Sequence, residues 1–358
     1  MRKVLHTLPV FLFLMMVNSC ASTINITSVI ERHTDGDLLL KWEVSPDQEG
    51  NINIYSSRDD SSLDHFTPLA SAQIADHVLR INSNETGIRE FFFLRTATAF
   101  SGIVSNRFID AQEIRNFRDA GGYFTTDNRQ VQWGKIFRSG DLSNASPQDQ
   151  NTINQLGIRT IIDFRSEQAA NQFPILLHPD IQIIPLPIVP TMDDTRLREL
   201  IESDELTRAD AIRFMQEKYV EIVNNHKTEF AVMFDILSDA NNLPVLLTDG
   251  LGKDGVGLAV FFILYVLGVP ESVLVNEYML SQRDLQKRVQ AMMKDVYHLS
   301  ESLQQAIHAM LDVNRAYLNY AVVHIRQEYG SVSSFLETQL GVSNRKRNAL
   351  RRNLLYSF

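Results

Sequence analysis

The pattern of apolar and polar positions changes near residue 110. Residues 24–108 contain short alternating apolar runs, as at 38–44, 52–55 and 91–96, separated by turn-forming stretches. Runs of this length and spacing predict the strands of a small all-β sandwich. No catalytic constellation stands out among them, so we expect this part to act as a spacer or docking module.

From residue 110 to 358, apolar runs of strand length alternate with helical periodicity. Strands are predicted at 160–164, 181–186 and 243–247, and helices at 210–224, 229–237, 258–267, 271–279 and through the stretch 285–328. This alternation predicts a second, α/β domain with a central sheet flanked by helices. The polar residues 188–209 are expected to form an insertion or lid over the site.

The amino terminus has the pattern of an export signal. Arg2 and Lys3 precede an almost wholly apolar run at 8–17, and residues 17–20, Val-Asn-Ser-Cys, resemble a bacterial lipoprotein cleavage box. The run is shorter than the roughly 20 apolar residues that span a bilayer. We predict a signal peptide at 1–19, lipid attachment at Cys20 in a linker over 20–23, and a lipid-anchored protein of the bacterial envelope, periplasmic or on the outer membrane. An ordinary signal peptide or a membrane anchor is the alternative.

Composition narrows the classes of partner. The formal net charge of -9 argues against nucleic acid. Cys20 is the only cysteine, so no internal disulfide can form and the mature domains hold no thiol nucleophile. The nine histidines show no metal-binding spacing, and we predict neither a metal site nor a cofactor.

The most informative motif is a glycine-rich turn between a predicted strand and an apolar helix. It contains Gly250, Leu251, Gly252, Val256 and Gly257. A strand that breaks into glycines before a helix directs several backbone N–H groups and the positive helix end toward one point, which suits an anion. We therefore predict a phosphate-binding loop at 249–257.

One interpretation of this loop is a dinucleotide site. Gly250, Gly252 and Gly255 satisfy the G-x-G-x-x-G pattern, and Glu277 lies about 20 residues further on, where an acid for a ribose hydroxyl is expected. Three glycines alone are a weak signal, so this interpretation depends on the flanking sequence.

The flanking sequence favours a different family. Separate blocks at 116–123, 134–142, 156–167, 267–281 and 328–342 resemble, in order and approximate spacing, segments of the cysteine-dependent tyrosine phosphatases. The resemblance covers residues 112–358 and is to the bacterial tyrosine and lipid phosphatase branch, whose loop runs His-Cys-x-x-Gly-Lys-Asp-Arg-Thr-Gly. Here Gly252, Lys253, Asp254 and Gly257 match that signature. The predicted strands within 24–108, with an early tryptophan strand and late aromatic strands, are more loosely similar to fibronectin type III domains.

The loop departs from the family at its chemistry. Asp249 stands at the position of the nucleophilic cysteine and Gly255 at that of the phosphate-binding arginine, while Thr248 and Val256 replace the histidine and threonine. We expect the carboxylate of Asp249 to fill the anion cradle itself. It would accept backbone N–H groups of residues 250–257, with a lowered pKa because those hydrogen bonds favour the charged form.

Four further side chains are candidates by resemblance. Lys253 and Asp254 would orient substrate and transfer protons, or pair with each other or with Asp163 or Arg165 and hold the loop. Asp163 and Arg165 end a predicted strand, where ligand groups of α/β sheets usually lie. A structural ion pair between them is the favoured interpretation.

Three functions remain open. The first is an envelope-tethered, catalytically degenerate member of the family that binds a phosphorylated small molecule, lipid or protein, another acidic ligand, or a protein partner. The second is an active phosphomonoester hydrolase that uses Asp249, Lys253 and Asp254 in an unusual mechanism, since aspartate forms acyl-phosphates elsewhere. The third is the dinucleotide-binding enzyme.

Overall fold

The computed structural model describes residues 24–33, 36–58, 67–82, 89–190 and 195–357. The predicted signal peptide, Cys20 with its linker, and residues 191–194 of the predicted lid lie outside the described residues. Within the described ranges, no helix has both the length and the apolar character needed to cross a membrane.

The N-terminal part is all-β, with its strands in two antiparallel sheets. The strands are β1 (Asn25–Arg32), β2 (Leu38–Ser45), β3 (Asn51–Ser57), β4 (Ala70–Gln73), β5 (Val78–Ile81), β6 (Phe91–Arg95) and β7 (Val104–Ser105). One sheet has the order β1-β2-β5 and the other β4-β3-β6-β7. Both contribute to one hydrophobic core, where Trp42, Ile54 and Phe92 are buried. The strands predicted at 38–44, 52–55 and 91–96 are confirmed.

The C-terminal part contains one five-stranded sheet. Its strands are β8 (Arg118–Asp119), β9 (Ile136–Ser139), β10 (Thr160–Asp163), β11 (Gln182–Pro185) and β12 (Val245–Thr248), in the order β11-β10-β12-β9-β8. All pairs are parallel except β8 with β9. Every residue of β9, β10 and β12 is buried, as expected for central strands that are covered on both faces.

Helices cover this sheet on both faces. They are α1 (Pro147–Gln155), α2 (Glu167–Gln172), α3 (Thr195–Glu202), α4 (Arg208–Asn225), α5 (Lys227–Ser238), α6 (Gly255–Leu267), α7 (Glu271–Met279), α8 (Ser281–Lys294), α9 (Glu301–Leu311), α10 (Arg315–Tyr329), α11 (Val332–Thr338) and α12 (Asn344–Leu354). Leu247 packs on the larger helical core and Leu246 on a second cluster with Ile153 of α1. The α/β prediction is confirmed.

Two helix predictions need correction. The stretch 285–328 is not continuous, because α9 and α10 each begin at a new cap, where Ser300 and Asn314 accept backbone N–H groups. The helix predicted from residue 258 begins at Gly255, so the end of the glycine motif forms its first turn.

The two parts contact each other through buried groups. The Arg89 guanidinium lies 2.6 Å from the Asp119 carboxylate, which is fully buried. Trp133 donates its indole Nε1–H to the carbonyl of Ile103 at 2.9 Å. Apolar side chains from both parts form one cluster around these contacts: Phe91, Ile103, Trp133 and Tyr356.

Candidate functional site

The loop between β12 and α6 is folded around the side chain of Asp249. Its Oδ1 accepts the backbone N–H groups of Leu251, at 3.0 Å, and of Gly252, while its Oδ2 accepts that of Val256 at 3.1 Å. An ionised carboxylate accepts hydrogen bonds and donates none, so three N–H donors match its charged form. The expected filling of the cradle by the Asp249 carboxylate is therefore seen in the geometry.

The expected direction of the Asp249 pKa is wrong. Burial of the carboxylate, and after it the repulsion of the Asp254 carboxylate, raises the pKa of Asp249 above its ordinary value. The N–H groups of Val256 and Gly252 oppose this rise without reversing it. Hydrogen bonds alone would lower the carboxyl pKa, but burial and the second carboxylate beside Asp249 outweigh them.

The position of the lost arginine holds no cation. Gly255 lies in the first turn of α6, where an added Cβ would lie 3.6 Å from Oδ2 of Asp249 and 3.5 Å from the side chain of Ile188. A side chain at this position would therefore start beside the Asp249 carboxylate. With glycine there, no guanidinium extends from this turn toward the loop.

Buried polar groups hold the loop from below. Asn116 donates its side-chain N–H groups to the carbonyls of Leu251, at 3.1 Å, and Gly252, at 2.8 Å. Arg138 of β9 also donates to the carbonyl of Gly252. Asn116 has a positive φ of 56° and is fully buried. These donors bind the carbonyls of the loop, while the loop N–H groups bind the carboxylate of Asp249.

Glu277 of α7 joins the two arginines of this support. Its carboxylate accepts from Nε of Arg118 at 2.9 Å and from Nη1 of Arg138 at 2.7 Å, and all three side chains are buried. Burial, followed by the like charge of Arg138, lowers the pKa of Arg118 to about 10. Burial favours the neutral acid, yet the two arginines hold the pKa of Glu277 below its usual value. Glu277 is therefore a structural anion, and its predicted role toward a ribose is wrong.

Asp254 is held by cations and a phenol beside the loop. Its Oδ2 lies 2.8 Å from Nζ of Lys218, and its Oδ1 accepts from Nζ of Lys253 and from the Tyr219 hydroxyl, each at 2.8 Å. The Tyr219 hydroxyl also lies 2.8 Å from that of Tyr278. Of the two interpretations, Lys253 and Asp254 show the mutual pairing that holds the loop.

This cluster shifts the pKa values of its members. Burial favours the neutral form of Asp254, but Lys218 and then Lys253 hold its pKa far below the ordinary value. Burial opposes the charge of Lys218, while the Asp254 carboxylate raises its pKa overall. Burial, and next the Asp254 charge, raises the pKa of Tyr219 and of Tyr278. Asp254 is thus a fixed anion with its donors already in place.

Asp163 and Arg165 form the expected ion pair. Nη2 of Arg165 lies 2.8 Å from Oδ2 of Asp163, and Nη1 lies 2.8 Å from Oδ1 of Asp141. Arg165 also donates to the carbonyl of Phe173 at 2.9 Å. Its guanidinium is buried and already satisfied by two carboxylates, so it cannot replace the missing arginine without breaking these bonds.

Residues of the predicted lid contact two different regions. Ile188 lies beside Gly255 at the loop. By contrast, Leu197 and Leu200 of α3 pack with Leu206 against apolar residues of α9, including Leu303. The far end of the insertion is thus anchored on α9, and a lid function stays a prediction.

Sequence reasoning missed the residues that support the loop. Asn116, Arg118 and Arg138 all lie in the sequence blocks used above, as does Ser281, whose hydroxyl accepts from Nη2 of Arg118 at 2.9 Å. The signal was therefore present, but these side chains were given no role. Lys218 had no such signal, because one lysine on an amphipathic helix looks like a solvated residue. Among the described residues, no group of three or more His, Cys, Asp or Glu side chains is arranged to hold a metal ion.

Comparison with known proteins agrees with the block pattern. Residues 109–356 match the model of the tyrosine phosphatase family. The chain is 25% identical over 230 residues to a Cupriavidus necator protein named as a tyrosine-protein phosphatase, covering 64% of this chain and 82% of that one. It is 25% identical over 270 residues to the triple specificity protein phosphatase PtpB of Mycobacterium tuberculosis, covering 67% of this chain and 96% of that one.

Solved structures are more distant. The crystal structure of P. aeruginosa TpbA in complex with pTyr is 12% identical, with 54% of this chain and 90% of that chain covered and a TM-score of 0.24. This structural likeness is low, and the assignment to a family follows from the family model alone.

Proposed function

Because the chain belongs to the tyrosine phosphatase family, we propose that it is a catalytically degenerate member that binds a ligand through the loop face without hydrolysing it. The observation that carries this proposal is the occupied cradle. Asp249 accepts three loop N–H groups that a phosphoryl group would otherwise need.

Electrostatics support the same proposal. A phosphate that approaches a carboxylate to about 4 Å is opposed by roughly 4 kcal/mol per pair of charges at an effective dielectric of about 20. Lys218 and Lys253 are both bound to the Asp254 carboxylate. Donors to a transferring phosphoryl group are worth about 10³ to 10⁵ in rate, and Gly255 supplies none.

The ligand class follows from the family and from this loop together. Relatives named as phosphatases suggest a phosphorylated small molecule, lipid or protein as the ancestral ligand. With the cradle occupied, such a ligand would be held by groups around the loop rather than by its N–H groups. The predicted lipid on Cys20 would keep the chain at the bacterial envelope, where tethering raises the local concentration of a weakly bound partner.

Hydrolysis by an unusual mechanism is the second candidate. It is supported by Lys218, a cation near Asp249 that sequence reasoning did not identify and that could offset part of the charge on a phosphoryl group. It requires Asp249 to leave its N–H donors and attack phosphorus, and Lys218 to leave Asp254.

Turnover assays separate the two candidates. We expect the detergent-solubilised full chain to release no phosphate from p-nitrophenyl phosphate or phosphoinositides above background, and Asp249→Ala to be equally inactive. The double variant Asp249→Cys with Gly255→Arg restores both lost groups and is expected to gain measurable hydrolysis. Turnover by the unaltered chain that Asp249→Ala abolishes would instead establish the second candidate.

A further inference from the structure

A second concave site lies between the N-terminal sheets and the α/β part. It is a cleft of about 850 Å³, within the roughly 300–1,000 Å³ typical of small-molecule sites. Lys135 lines it at the start of β9, whereas the loop contacts the other end of that strand, at Ser139. The cleft is therefore separate from the Asp249 site. We call it the basic cleft.

The charged side chains of the basic cleft are mostly cationic. They are Arg32, Arg58, Arg89 and Lys135, with Glu90 and Asp110 as acids. The whole chain has a formal net charge of -9, so this local excess of positive charge runs against the overall balance. An excess of one sign of charge in a cleft raises the local concentration of ligands of the opposite sign.

Two of these cations have fixed positions. Arg32 pairs with Asp110 at 2.9 Å and Arg89 with the buried Asp119 at 2.6 Å. Lys135 differs, because its half-buried side chain has neither an ion pair nor a hydrogen bond within the part of the chain that the structure describes. An ammonium group that lines a cleft without a partner is available to a ligand.

The walls of the basic cleft suit an aromatic ligand. Phe91 and Trp133 line it, and the Arg89 guanidinium lies over both rings, 5.3 and 5.4 Å from their centroids. On the facing side, α1 contributes the exposed amides of Asn151 and Gln155, which can both donate and accept hydrogen bonds. Phe91 and Trp133 are almost fully buried, so a ring would rest mainly on the Arg89 guanidinium that covers them, and its polar substituents would meet amides.

We propose that the basic cleft binds a small aromatic organic anion, a carboxylate or a phosphate monoester. Its anionic group pairs with Lys135 and its ring packs near Trp133. This site does not depend on the state of the Asp249 loop, so it stands or fails separately from the proposed function.

Trp133 offers a local readout. The chain has two tryptophans, and Trp42 lies in the core of the N-terminal sheets. We would label the full chain with 5-fluorotryptophan and titrate it with 3-phenylpropanoate, phenyl phosphate and the neutral 3-phenylpropanamide. At least one anion is expected to shift the ¹⁹F signal of Trp133 saturably, with a dissociation constant of about 1 mM or lower, and to leave Trp42 unchanged. Which anion binds more tightly identifies the carboxylate or the phosphate as the preferred group.

Substitution of Lys135 decides the outcome. Lys135→Gln is expected to weaken binding of the anion about tenfold, which corresponds to the loss of one charged hydrogen bond, and to leave the amide unaffected. Lys294→Gln makes the same charge change on the exposed end of α8, outside the cleft, and should change nothing. The proposal is overturned if neither anion saturates Trp133 below about 10 mM, if the amide binds as tightly, or if Lys135→Gln has no effect.

Discussion

The conformation of the loop makes a sharp prediction for two of its glycines. Gly252 has a φ of +67°, and an added Cβ would lie 2.5 Å from the carbonyl oxygen of Ser139 and 2.7 Å from the backbone nitrogen of Gly140. Those are backbone atoms of the end of β9, so a new side chain cannot push them aside cheaply. Gly250, two residues earlier, has open space on all sides of its Cβ position.

The magnitude follows from these contacts. The left-handed conformation costs an alanine about 1–2 kcal/mol, and overpacking against rigid neighbours costs about 1–3 kcal/mol more. The reduced entropy of the unfolded chain returns about 0.4–1 kcal/mol. We therefore expect Gly252→Ala to lower the free energy of unfolding by about 1–5 kcal/mol, with a central value of about 3 kcal/mol, and Gly250→Ala to change it by less than about 1 kcal/mol.

Urea denaturation of the full chain, followed by circular dichroism, measures both variants under the same conditions. Equal stabilities would show that the loop does not press against Ser139, and the account of how Asp249 is held would then be wrong. A second effect is expected in Gly252→Ala, because the N–H group of residue 252 donates to Asp249 and must move with the backbone.

Three further predictions concern charged groups around the loop. Glu277→Gln leaves two buried guanidinium groups uncompensated and should cost about 3–5 kcal/mol of unfolding free energy in urea, whereas the exposed control Glu337→Gln should change it by less than about 0.5 kcal/mol. Because the folded-state pKa of Asp249 is raised, the folded state binds a proton at higher pH than the unfolded state does. The chain should therefore gain stability relative to Asp249→Asn as the pH falls from 7 toward about 4. A constant difference between the two proteins across a pH series of urea midpoints would contradict this. Lys218→Met should lower the free energy of unfolding by about 1–2 kcal/mol at pH 7, after allowance for the partial exposure of Lys218. That difference should shrink below about pH 4, because the lowered pKa of Asp254 stabilises the fold only while unfolded carboxyls are ionised. A difference that survives unchanged at pH 3 would show that packing, not charge, is lost.

The sequence predicted the elements that are governed by local pattern. Helix α7 was placed at its observed bounds, and the strand at 160–164 differs from β10 by one residue, because continuous apolar runs and helical periodicity are local properties. The start of α6 was placed three residues late, since Gly255 and Gly257 are poor helix formers that only the fold of the loop makes helical.

The sequence predicted the backbone contacts of the site, but it predicted the pKa values and the charged partners less well. The contact between Asp249 and the loop N–H groups follows from a local motif. The raised pKa of Asp249 depends on Asp254 and on burial, and the cation Lys218 comes from α4, more than 30 residues earlier. Such contacts arise from packing between distant elements, which spacing along one sequence does not report.

The central claim is that the Asp249 carboxylate occupies the anion cradle, and a titration with inorganic phosphate by isothermal calorimetry tests it most directly. The account predicts no binding by the unaltered full chain up to about 10 mM phosphate, and binding at least tenfold tighter by Asp249→Ala, in which the loop N–H groups are freed and the repulsion removed. Equal affinity of the two proteins for phosphate would contradict the claim.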